Sequence, residues 1–134
     1  MLQIDRVRQI EGARIVCEMD LDRDHWVFSL HLPDDPVFPG CLLIEAAGQV
    51  VALWGWDAGL RGRPRMARVT AEFASAVRPG DAVLTLTAKV RRRRQICFGS
   101  VDILVGERRV ATLDLTIVVL TGHEGAVAED AKGV

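Results

Sequence analysis

The sequence predicts an α+β domain in which a curved antiparallel sheet wraps around one long apolar helix. Three observations carry that expectation. One run of good helix formers, Gly40 to Trp56, is apolar on every side; strand-like alternation dominates the sequence after it; and hydrophobic residues make up 49% of the 134 positions, ample for one core. At this length a single domain is expected, without room for separate cofactor and substrate domains.

In chain order, residues 13–19 (ARIVCEM) and 25–32 (HWVFSLHL) alternate in part and carry β-branched or aromatic side chains, so both read as strands, joined by the polar DLDRD. CLLIEAAGQVVALWGW then reads as about four turns of helix, which protein must enclose because it is apolar all round. DAGLRGRPR, rich in Gly, Arg and Pro, ends the helix and forms a loop. MARVTAEFASAV runs to a turn at RPGD, followed by AVLTLTAKVRRR, QICFGSVDILV, a tight turn at GERR and VATLDLTIVVL. These four strands predict a long antiparallel meander. Residues 121–134 are small and polar without periodicity and read as a tail beyond a domain of residues 1–120.

Several function classes are excluded at this level. The apolar run contains Glu45 and Gln49 and falls short of the roughly 20 residues that cross a bilayer. The N-terminus, MLQIDRVRQ, carries charges where a signal peptide has its apolar core, which points to a cytoplasmic protein. Cys17, Cys41 and Cys97 are odd in number and share no metal-ligand spacing, so buried free thiols are expected rather than disulfides or zinc. The net charge of −1 hides a strong asymmetry: residues 1–60 hold 4 basic and 10 acidic groups, residues 61–94 hold 10 and 2, and residues 95–134 hold 3 and 6. That basic middle segment either steers an acidic partner or is a solvated face. Nucleic acid is disfavoured, because Phe73 is the single aromatic in the segment and no stacking platform is available.

The chemistry concentrates in HLPDDPVFPGCLLIEAAGQ, residues 31–49. His31 at a strand end could be structural or a base. Glu45 is harder to treat as structural, because a carboxyl on an all-apolar helix must give up water, and burial would raise its affinity for a proton. Gln49 follows at i+4 and shares its face, where its amide could orient the carboxyl. Gly40 opens the helix with no side chain and an N–H at the positive end of the dipole, fit to hold an oxyanion. One base, one acid and one oxyanion donor are what elimination beside a thioester carbonyl requires.

These residues resemble a known family, the bacterial hotdog-fold 3-hydroxyacyl-ACP dehydratases of fatty acid synthesis. The resemblance runs over most of residues 1–120 and is strongest from IDRV (4–7) through residues 18–56. Its active-site signature is a histidine followed fourteen residues later by an acid, with PxxPG between them. By that match His31 is the catalytic histidine, Glu45 the catalytic acid, Gly40 the amide donor and Gln49 the residue that orients the acid, with Val37 and Cys41 beside the substrate. DPVFPGC and DLDRDHWVF look like the dehydratase/isomerase branch, whereas Glu45 looks like the dehydratase-only branch; Leu32 after the histidine and the acidic pair Asp34 and Asp35 depart from both.

The resemblance implies a (3R)-hydroxyacyl thioester carried by an acyl carrier protein, no metal and no bound cofactor. It also implies a homodimer in which His31 of one subunit faces Glu45 of the other. Cys41 is expected to have no nucleophilic role. The acidic carrier would dock on Arg61, Arg63, Arg65 or the run Arg91, Arg92, Arg93 and Arg94. Two rivals remain: a hotdog thioesterase, and a non-catalytic acyl-binding dimer partner.

Overall fold

The computed structural model describes residues 3–21, 25–30 and 34–121. Strands β1 (Arg6–Glu11) and β2 (Arg14–Asp20) precede a short helix α1 (Trp26–Leu30) and the long helix α2 (Gly40–Asp57), followed by β3 (Arg63–Phe73), β4 (Val83–Arg93), β5 (Ile96–Val105) and β6 (Arg108–Leu120). All six strands form one antiparallel sheet in the order β1-β2-β4-β5-β6-β3. Alternate residues of β4 and β5, among them Leu86, Ala88, Val101 and Ile103, are buried against Ala46, Ala47, Val50 and Val51 of α2. The helix lies very close to the sheet at Gly99, where an added Cβ would come within 2.4 Å of Val51 Cγ2. The central helix and wrapped sheet are therefore as the sequence predicts. No helix among the described residues is long and apolar enough to cross a membrane.

Several details differ from the sequence expectations. Residues 26–30 are helix rather than strand: His25 closes the turn, its carbonyl accepting the Phe28 N–H (3.0 Å) and its Nδ1 the Val27 N–H (3.2 Å). Edge contacts of the His25 and Phe28 rings with Phe38 then anchor α1 on the loop ahead of α2. Residues 31–32 of the expected strand lie outside the described residues, as do 22–24 of the DLDRD connection and 122–134 of the expected tail. β1, which the residue patterns did not flag, is a mostly exposed polar strand held by ion pairs: Arg6 reaches Glu18 (3.0 Å) and Asp20 (2.5 Å), and Arg8 reaches Glu18 (2.7 Å).

The meander also has a different topology. RPGD does turn, with Asp81 N–H bonded to the Arg78 carbonyl (3.0 Å) and Arg78 N–H to Asp81 Oδ2 (2.9 Å), but it joins no hairpin. The chain instead crosses the sheet between β3 and β4, so β3 pairs with β6, from Arg63 opposite Leu120 to Phe73 opposite Ala111. β3 begins at Arg63, inside the expected loop, because that register supplies partners as soon as the chain leaves the helix end. Finally, α2 is not enclosed all round: Cys41, Glu45 and Trp56 are exposed along one stripe, with Gln49 and Ala52 half-buried between them. One sheet does not cover a helix on every side.

Candidate active site

The stripe that stays open on α2 carries the chemistry. Glu45 and Gln49 are one turn apart, and Gln49 Nε2 donates to Glu45 Oε1 at 3.1 Å. The other end of that amide is also held, since Gln49 Oε1 accepts the main-chain N–H of Gln3 at 2.7 Å. Gln3 is 7% exposed. A small cavity of about 100 Å³ opens beside the pair, floored by Gly48, Ala52 and the β3 residues Pro64 and Met66. The burial expected of Glu45 is absent on a single chain; its carboxyl faces outward, held by an amide rather than by desolvation.

Gly40 lies at the start of the same helix. Pro39 is the N-cap, extended at φ −63° and ψ 135°, with no side-chain cap bond. The Leu42 and Leu43 N–H groups turn back to the Pro39 carbonyl (3.1 and 3.3 Å), and the Gly40 N–H lies ahead of the first N–H that bonds within the helix. Glycine leaves room here for the Phe73 ring, which sits 3.0 Å from the position of a Cβ and would have to shift to admit a side chain. Around this contact a cavity of about 410 Å³ is lined by Val37, Phe38, Gly40, Leu43, Phe73 and Val77, nearly all apolar and fit for an acyl chain. The loop is stapled in place by Phe38 N–H to the Val77 carbonyl (2.7 Å) and by Arg78 to Asp35 (2.8 Å). The acidic loop residue Asp35 thus has a structural partner.

Of the residues singled out in the sequence, Glu45 and Gln49 are brought into contact, and Val37 and Gly40 share one cavity. His31 lies outside the described residues. Cys41 is exposed, contrary to the expectation of three buried thiols, because it falls on the open stripe; Cys17 and Cys97 are buried. Gln3 and Phe73 were missed as site residues. Phe73 stood out as a lone aromatic, while nothing in a sequence marks a main-chain donor arriving from 46 positions away. Among the described residues no group of His, Cys, Asp and Glu could hold a metal ion.

A larger groove, about 630 Å³, lies elsewhere, on the outer face of the sheet beside Arg68, Lys89, Arg91 and Phe98. Charged side chains rim it, Arg91 among them, but none of the catalytic candidates lines it. At the arginine-rich end, Arg61 stacks over Trp56 (3.8 Å) and bonds its carbonyl, while Arg92 donates to the Ala58 carbonyl (3.2 Å). Both neutralise the negative end of α2.

A six-stranded antiparallel sheet curled around one long helix, with a polar pair on the helix's open face and an apolar cavity at its start, defines a hotdog protein. Comparison makes this specific: residues 1–114 match the family model of the FabA-like domain, and the chain belongs to that family. Solved structures agree on the fold. The dehydratase heterocomplex ApeI:P from Xenorhabdus doucetiae is similar with a TM-score of 0.78 at 17% identity, over 95% of this chain and 88% of that one. The E. coli PaaI protein of the phenylacetic acid degradation operon gives 0.70 at 21%, over 90% and 82%. A hypothetical thioesterase with coenzyme A from Streptococcus pneumoniae gives 0.69 at 20%, over 88% and 86%.

Proposed function

We propose that this chain is a (3R)-hydroxyacyl thioester dehydratase, a single domain of residues 1–120 with a C-terminal tail, acting on substrates presented by an acyl carrier protein. The observation that carries the reading is the Gln49 to Glu45 hydrogen bond on the open helix stripe, one and a half turns from the Gly40 N–H and its apolar cavity. His31 as neutral imidazole takes the proton from C2, the electron pair forms the C2–C3 double bond, and the C3–O bond breaks as Glu45 gives its proton to the departing hydroxyl. Water and a trans-2-enoyl thioester leave. The Gly40 N–H holds the developing negative charge on the thioester oxygen. Glu45 at the acid position favours dehydration without isomerisation.

The exposed stripe and the bare edge of β3 support a homodimer, with a second copy covering both and bringing its His31 to Glu45. A thioesterase is the second reading, supported by neighbours of that description. One assay separates them: a crotonyl thioester is followed by ultraviolet absorbance for hydration and by thiol release for hydrolysis. Hydration without thiol release is expected, and the reverse overturns the proposal. Glu45→Gln and His31→Ala should each lower hydration about 10²–10⁴-fold, the usual cost of losing a positioned acid or base, with the fold intact by circular dichroism. Near wild-type turnover in either variant removes that residue from the mechanism.

A further inference from the structure

The amide of Gln49 is held at both ends, and its orientation decides what happens to the proton on Glu45. We propose that the main-chain N–H of Gln3 is a positioning group that keeps the Glu45 proton available to the substrate by preventing Gln49 from turning over; this rests on the dehydratase reading above.

A side-chain amide has two faces of opposite character, an NH₂ that only donates and a carbonyl that only accepts. With Gln49 Oε1 receiving the Gln3 N–H at 2.7 Å, Nε2 is turned to Glu45 Oε1 at 3.1 Å. A donor cannot take the carboxyl proton. The acid therefore carries its proton on Oε2, the oxygen that Gln49 does not hold, ready for the departing hydroxyl. If the amide turned over, its carbonyl would face Glu45, and the protonated acid would donate to Gln49 instead of to substrate. The two orientations have the same shape, so packing alone does not choose between them. The Gln3 N–H opposes reversal, because a reversed amide would set Nε2 against that N–H and leave a donor of the buried Gln3 backbone facing another donor. The role belongs to the backbone, which explains why no pattern in the sequence marks it.

The test separates proton donation from every other step by changing the leaving group. A 3-hydroxybutanoyl thioester of N-acetylcysteamine needs a proton on its departing oxygen. The 3-chlorobutanoyl analogue loses chloride with the bonding pair, while the C2 proton goes to the same base, and it needs no acid. Gln3→Pro removes the N–H, whereas Gln3→Ala keeps it. We expect Gln3→Pro to lower kcat for the hydroxy substrate by ~10–100-fold with KM changed less than about threefold, within the range for a compromised general acid, and to eliminate chloride at the wild-type rate. Gln3→Ala should restore the hydroxy reaction.

A parallel fall on both substrates, or none on the hydroxy substrate, overturns the inference. Should Gln3→Pro fail to fold, replacing residue 3 by the α-hydroxy acid analogue of glutamine, which turns that amide into an ester and removes the same N–H without a proline ring, must show the same split. A wild-type protein that eliminates no water overturns the dehydratase reading itself. Dehydration by the wild type with unsplit variants overturns only the role of Gln3.

Discussion

Three cysteines with one sequence-level description occupy three different environments, and their reactivity follows from position. Burial pushes the Cys17 thiol up to about 11, and Cys97 is also raised by burial, with Arg92 partly opposing it. A thiol held protonated and out of solvent is a poor nucleophile. Iodoacetamide at pH 8 should therefore leave Cys17 and Cys97 unmodified in the native protein and label them only after denaturation, with any native adduct falling on the exposed Cys41. Peptide mapping that finds native label on Cys17 contradicts the burial described here. Residue-level legibility divides along the same line. Glu45 and Gln49 stood out because i+4 spacing on one helix is a local rule, and the structure gives them a hydrogen bond. The environment of Glu45 was misjudged because the open stripe of α2 depends on how far the sheet reaches, which is not a local property.

At the scale of elements, α2 was legible because a long apolar run with Leu, Ala, Glu and Gln spread through it outweighs its glycines and any local competitor. β1 was not, since its pattern is polar and, beyond its backbone pairing with β2, its side-chain contacts are ion pairs. Those ion pairs make a pH prediction. Hydrogen bonds from Arg6 first, and then from Arg8, hold the Glu18 carboxyl below its ordinary range, and Arg6 does the same for Asp20. A carboxyl depressed in the folded state adds stability that is fully present above its unfolded value, about 4, and is lost as pH falls through the lower folded values. Arg6→Met should accordingly lower the thermal midpoint at pH 7 by a small amount, because exposed pairs contribute little. The difference from wild type should shrink steadily below about pH 4. A gap that persists unchanged at pH 2 would mean that Arg6 acts through packing alone.

For the whole molecule, the excess positive charge of residues 61–94 falls largely at one end of the sheet, where β3 begins and β4 ends. Arg61 and Arg92 serve the helix terminus there, and Arg91 lies over the Phe98 ring at 4.6 Å, so reversing those charges would disturb structure as well as field. Arg93, exposed at the strand end, is the cleaner probe of carrier docking. Arg93→Glu should raise KM for a carrier-linked substrate and leave a small soluble thioester unaffected, with the carrier effect fading as salt screens charges beyond about 8–10 Å. Equal KM values on carrier-linked substrate at low and high salt, in both proteins, assign these arginines to solvation.

The crossing of the chain from β3 to β4 also sets the order of folding. β3 is complete in the nascent chain before β4, β5 or β6 exists, yet its sheet partner is the last strand, with Arg63 waiting for Leu120. Pairing across that distance closes a long loop late, which slows folding relative to the local β4-β5-β6 pairings. On the ribosome the Phe73 end of β3 has no sheet partner until Ala111 emerges, and its Arg63 end none until Leu120 does, so a chain truncated before Leu120 leaves the start of β3 unpaired. The strand that helps to frame Glu45 through Pro64 and Met66 is thus the last to be secured, so the site is assembled only once β6 has been made.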